Sequence, residues 1–178
     1  MSTITFFTDG SAKGNGKLQA TGGIGIYNPE NLFPDVSLET RKAIKILDLK
    51  FTPKKITNNI SELTAILFAM NLAKDHLKAG ERILIKTDSM YSINSLSKWW
   101  KKWELNDWTN SKGVEVLNKE LITTIILDYI KIFPKQILFE HIRAHTKEMS
   151  VKDAILYPKK YLDWFGNNKA DLLATNYN

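Results

Sequence analysis

A chain of 178 residues, 43% hydrophobic and 25% charged, suits one well-cored globular domain and is too short for two of ordinary size, which excludes disordered and fibrous classes. With no cysteine, disulfides, thiol catalysis and cysteine-held zinc are excluded as well. A net charge of +6 leaves two readings open, a polyanionic partner or a lysine-rich solvated surface.

Residues 1–178 are therefore expected to form a single domain. The chain enters the strand-like ITFFTDG almost at once, so no secretory signal is expected. No apolar run approaches the ~18 residues that span a bilayer. A soluble monomer with no membrane partner is expected, cytoplasmic in preference to nuclear.

In chain order, Thr3 to Thr8 reads as a strand, followed by DGSAKGNG as a loop and Gly22 to Tyr27 as a second strand. Asn28 to Pro34 is a turn-rich connection. Ala43 to Phe51 alternates apolar and polar residues, the period of a half-buried third strand. The period then changes: Ile60, Leu63, Ile66, Leu67, Met70 and Leu77 share a helical face, predicting a helix from about Asn59 to Leu77 stopped by Gly80. Ile83 to Thr87 is a short buried strand, and a helix follows through Tyr91, Leu96 and Trp99. Val114 to Phe133 reads as another helix ended by Pro134, Ile137 to Ile142 as the last strand, His145 to Gly166 as a loop, and Asn168 to Thr175 as a closing helix. Three strands and then βα units predict an α/β fold, a mixed sheet flanked by helices.

Four carboxylates stand at strand ends or in first helical turns of this plan: Asp9 in TDGSAKGNG, Glu62 in NNISEL, Asp88 in KTDSMYS and Asp171 in GNNKADLLA. One sheet could bring all four to one point. Clustered acids repel unless cations join them, and magnesium prefers such oxygen ligands. A pair of such ions serves in-line displacement at phosphorus, whereas no nucleophile triad is evident. Each acid alone is more often a turn or cap residue than a ligand.

TDGSxxGNG, NNxxEL opening a helix, TDSxY after a buried strand, a late His, and NxxADxLA resemble the landmarks of the ribonuclease HI family, in order, from Thr8 to Ala174. The resemblance implies a ribonuclease H-like fold with a five-stranded mixed sheet, a three-strand meander plus parallel strands. It implies a magnesium-dependent endonuclease for the RNA strand of RNA–DNA hybrids, using two Mg2+ ions for which Mn2+ can substitute. Asp9, Glu62, Asp88 and Asp171 resemble the metal ligands, and His145 the mobile histidine that assists proton transfer or product departure. Asn15, Asn58 and Asn59 resemble positions that contact the hybrid in its minor groove. Met90 stands where bacterial members carry glutamine, and a thioether cannot donate that hydrogen bond.

Trp99, Lys101, Lys102 and Trp103 resemble the family's substrate-gripping protrusion, with lysines for phosphates and indoles for sugars or bases. The alternative reading of Trp99 and Trp103, four residues apart, is a core-facing helix stripe. Tyr157, Tyr161, Trp164 and Phe165 form either a small lid or a locally packed cluster. Two other functions share these features: a DNA strand transferase or resolvase of related fold, and a non-catalytic hybrid-binding module. The first usually needs further end-binding domains, and the second gains nothing from four uncompensated acids.

Overall fold

The computed structural model describes residues 2–15, 17–144 and 146–177. Its centre is a five-stranded sheet in the order β3-β2-β1-β4-β5. β1 (Thr3–Lys13), β2 (Thr21–Tyr27) and β3 (Val36–Glu39) form an antiparallel meander, and β4 (Arg82–Thr87) and β5 (Ile137–His141) add in parallel to β1. This is the mixed sheet the order of elements predicts.

Strand alternation sends side chains to two cores. Ile4, Phe6, Ile24 and Ile26 face α2 (Asn58–Leu72) and the larger core, whereas Phe7 faces α8 (Pro158–Thr175) with Ala170 and Ile142. On β2, Gly25 lies under α8: a Cβ there would overlap the Ala170 carbonyl, so its bare backbone lets the helix settle onto the sheet. α1 (Thr40–Ile46), α3 (Lys74–Lys78), α4 (Met90–Asn94), α5 (Trp100–Leu105), α6 (Lys119–Ile125) and α7 (Val151–Leu156) complete the fold. Single π-helical turns at Ser95–Trp99 and Ile126–Ile130 continue α4 into α5 and extend α6. Among the described residues, no helix is long and apolar enough to cross a membrane.

Four boundaries differ from the sequence reading. The third strand is Val36–Glu39, and the segment read as a strand from Ala43 begins inside α1, burying Ala43 and Ile44. Leu47, Leu49 and Phe51 then pack half-buried against the core from irregular chain, with Asp48 at positive φ ending the helix. β1 continues to Lys13 because Gly10 through Lys13 pair with β2 down to Thr21. α6 starts at Lys119, after a bridge between Thr109 and Glu115. Most of the expected loop between His145 and Gly166 is helical: Ser150 and Asp153 form a capping box for α7, and Pro158 opens α8 in its first turn. Within α8, Tyr161 packs on Trp164 and Phe165, and Phe165 on Tyr27, so three of the four aromatics predicted as lid or cluster are a packed cluster.

An ion network ties α8 to the sheet. Buried Lys86 of β4 reaches Asp163 Oδ1 at 2.6 Å and Glu140 Oε2 at 3.7 Å, while Lys159 meets Glu140 at 2.9 Å and Asp163 at 3.1 Å. Lys86 also lies 5.5 Å over the ring of Phe7, its register partner on β1. Removing the buried cation leaves Asp163 and Glu140 with only the exposed Lys159 as partner. Lys86→Met is expected to cost about 3 kcal/mol, read as a lower urea midpoint with an unchanged slope.

Candidate metal centre

Asp9 lies on β1 just beyond the stretch that pairs with β4, and Asp88 directly follows β4, so both sit at the carboxyl-terminal end of the parallel β1–β4 pairing. Such ends are where open α/β sheets place ligands. Ser89 caps α4 by accepting from the Ser92 amide, and its own amide donates to Thr87 Oγ1 at 3.1 Å, which holds the backbone on either side of Asp88.

Glu62 comes from the other side. Thr57 caps α2 by accepting from the Ile60 amide at 3.1 Å, and Ser61 and Thr40 share a buried hydroxyl contact at 2.7 Å. The helix can approach β1 only because residue 10 is glycine: a Cβ at Gly10 would overlap the backbone nitrogen of Glu62. Gly10→Ala is therefore expected to push α2 away from β1, costing about 2–3 kcal/mol in thermal denaturation and weakening Mn2+ binding in titration calorimetry.

Ligand oxygens of Asp9, Glu62 and Asp88 lie within 4.8 Å of one another. Asp171, on the face of α8 turned to the same spot, acts on Asp9 through both a hydrogen bond and its charge. It lines one pocket with Asp88, Thr146, Trp164, Asn167 and Asn168. All four predicted acids thus converge.

Burial first, and then the charges of Asp88 and Asp171, push the Asp9 carboxyl up to about 7, although a hydrogen bond from Glu62 pulls the other way. Glu62 is pushed well above the usual carboxylate range, by burial and then by the charge of Asp9. Its Oε2 is buried and has no hydrogen-bond partner among the described residues. An orphaned buried carboxylate oxygen inside an all-oxygen donor set fits a hard divalent cation, which would replace the missing partner and offset the repulsion.

The other predicted residues divide. The side chain of Asn15 accepts from the Asn58 amide at 3.0 Å, placing both, exposed, at the opening of α2, with Asn59 half-buried beside them. Trp99 is 41% exposed and Trp103 half-buried, and with Trp108 they form a run of ring contacts at 5.8 and 6.3 Å. Trp100 enters the core and Trp103 and Trp108 pack half-buried against it, so the core-facing reading holds for Trp103, while Trp99 is left at the open edge of an aromatic ridge. Lys101 and Lys102 are exposed, and Lys102 shares a surface groove with Trp99, Trp103 and Asn106. Glu104 in that run is neutralised by Lys131 at 2.6 Å. His145 lies outside the described residues.

Sequence reading assigned no role to Asn167, which is buried, lines the acidic pocket and leaves Oδ1 without a partner among the described residues. Its position four residues before Asp171, one helical turn away, was the available signal.

Comparison with known proteins matches residues 1–177 to the RNase H family. A probable ribonuclease H of Acanthamoeba polyphaga mimivirus is 37% identical over 145 residues, 81% of this chain and 57% of that protein. A ribonuclease H of Clostridium botulinum is 32% identical over 68% of this chain and 71% of its own length. The chain thus spans little more than half of the viral relative. Among solved structures, the PFV RNase H domain superposes with a TM-score of 0.60 at 23% identity, covering 97% of this chain and 92% of that one. The foamy viral protease-reverse transcriptase, solved in complex with an RNA/DNA hybrid, matches with a TM-score of 0.60 at 21% identity over 97% of this chain and 19% of that one. These two likenesses establish the fold.

Proposed function

The chain belongs to the RNase H family, and from that membership we propose that it is a magnesium-dependent endonuclease, a single catalytic domain that hydrolyses the RNA strand of RNA–DNA hybrids to leave a 3′-hydroxyl and a 5′-phosphate. The observation that carries this reading is the convergence of Asp9, Glu62 and Asp88 within 4.8 Å, around a Glu62 oxygen that has no partner among the described residues. The names borne by the mimiviral and clostridial relatives support the same chemistry.

In this reading Asp9, Glu62, Asp88 and Asp171 would hold two magnesium ions, for which manganese could substitute. Bound ions of this kind activate an attacking water and stabilise the leaving oxygen of an in-line displacement. The chain's own part is to set where the phosphate lies and which strand is chosen. Burial raises the carboxyls of both Asp9 and Glu62, so a bound cation would compete with protons for them. Asn15, Asn58 and Asn59, clustered at the opening of α2, face the minor groove and sense the ribose 2′-hydroxyl that DNA lacks. Trp99 and Trp103 offer ring faces to the backbone sugars, and Lys101 and Lys102 neutralise phosphates. His145 moves a proton or helps the product leave.

The test is cleavage of matched hybrid, duplex RNA and duplex DNA with magnesium, manganese or neither. Cleavage of the RNA strand of the hybrid alone, dependent on the cation, is expected. Cation-independent cutting, or equal cutting of duplex DNA, would overturn the assignment.

A further inference from the structure

The acidic pocket opens into a second groove. Thr146 and Trp164 line both, and beyond them the groove runs between the end of β5 and the start of α8, past His141, Arg143, Lys147, Lys160 and Asp163. Among the described residues, the acids lining it are Glu140 and Asp163, and both are already matched, by Lys86 from beneath and Lys159 from above. Arg143, Lys147 and Lys160 form no ion pair among the described residues. Lys147 contributes only a favourable field at Asp153, and Lys160 rests 5.5 Å over the ring of Tyr157. The groove is thus uncompensated positive surface continuous with the pocket that Asp88 and Asp171 line. Its far wall is built by the start of α8, through Lys159, Lys160, Asp163 and Trp164, which sequence patterning left as a loop.

We infer that this groove carries the sugar-phosphate backbone of the hybrid as it leaves the acidic pocket, with Arg143, Lys147 and Lys160 as its phosphate contacts. The inference rests on the hybrid-cleaving reading and extends it to a second binding surface, separate from the Trp99–Trp103 ridge. Phosphates that pass the carboxylates meet net repulsion wherever cations do not screen it. Three free basic groups directly beyond the pocket offset that repulsion and set the direction in which the strand runs. The matched Glu140 and Asp163 keep the groove floor neutral, so the three outer cations decide its sign.

The test compares binding of a fluorescein-labelled RNA–DNA hybrid by fluorescence anisotropy in EDTA over a potassium chloride series. The variants are R143Q/K147Q/K160Q, the charge-retaining K147R/K160R, and K74Q/K78Q/K135Q, which removes three exposed lysines near the opposite end of the sheet. Losing three phosphate contacts is expected to weaken binding about tenfold or more and to make the salt slope shallower by about two to three. The arginine variant should keep the wild-type slope, and the remote variant should lose far less affinity. With magnesium, the groove variant's loss should fall on KM rather than kcat. Equal weakening by the groove and remote variants, an unchanged slope, or a hybrid that does not bind would overturn the inference. A wild-type protein that binds the hybrid and never cuts it would instead count against the hydrolytic reading and leave the binding comparison intact.

Discussion

Asp9→Asn is expected to remove at least about a thousandfold of hybrid cleavage while making the metal-free protein more stable. The loss follows from deleting a charged ligand from the centre of the cluster, where about 4 kcal/mol of transition-state stabilisation corresponds to three decades in rate. The gain follows from the same geometry. Asp9 is 4% exposed, beside Glu62, Asp88 and Asp171, and ionising it there costs free energy that an amide avoids. An amide oxygen at position 9 can still accept from the Gly10 amide, as the Asp9 carboxylate does at 2.9 Å. Because Asp9 and Glu62 share the burden, a gain on the order of 2 kcal/mol near pH 8 is reasonable, or roughly 4–8 °C in Tm. Calorimetry in EDTA together with a single-turnover assay reads both. A variant that cleaves at the wild-type rate, or melts lower than wild type, would remove Asp9 from the centre of the site.

The second large effect is the coupling of stability to pH and metal. Burial raises the Asp9 carboxyl from an ordinary 3.8 to about 7 in the folded state. Between those values the native protein binds more protons at this site than the unfolded chain does. Stability from this group is therefore present below pH 4 and is lost as pH climbs toward 7. Glu62, raised for the same reasons, acts in the same direction. Subtracting the Asp9→Asn curve isolates the site from the other carboxylates. The difference in Tm between variant and wild type, in EDTA, should be small near pH 4 and widen to a plateau above pH 7. Magnesium should close most of that gap at high pH, since an ion that binds only the native state adds about 2.7 kcal/mol at a hundred times its Kd. A gap that stays flat from pH 4 to 8, or wild-type stability indifferent to magnesium, would refute the electrostatic account.

Local pattern carried some elements and misled at others. The span of α2 and α3 followed from a helical stripe ending at Gly80, which has φ +89. The Ala43–Phe51 alternation failed because Leu47, Leu49 and Phe51 bury their side chains from irregular chain after α1, and a period of two does not report hydrogen-bond partners. Val36–Glu39 is a strand because β2 pairs with it, although its four residues are all only half-buried. The α7–α8 segment was read as a loop even though Ser150, Asp153 and Pro158 are ordinary helix-start residues.

The amino-acid sequence by itself determined the identity of the four acids, the mixed-sheet plan of three strands followed by βα units, and the absence of thiol chemistry, because motif residues and hydrophobic period are written locally. The meeting of the acids was decided only by tertiary structure. Positions 9, 62, 88 and 171 are joined by two parallel strand ends, the glycine gap at Gly10 and a helix seated over Gly25, none of which is a property of neighbouring residues. The raised carboxyls, the orphaned oxygen of Glu62, the buried Lys86 network and the basic groove beyond it belong to the same class. Burial and charge proximity are sums over groups distant in sequence, so they exist only once the chain has closed on itself.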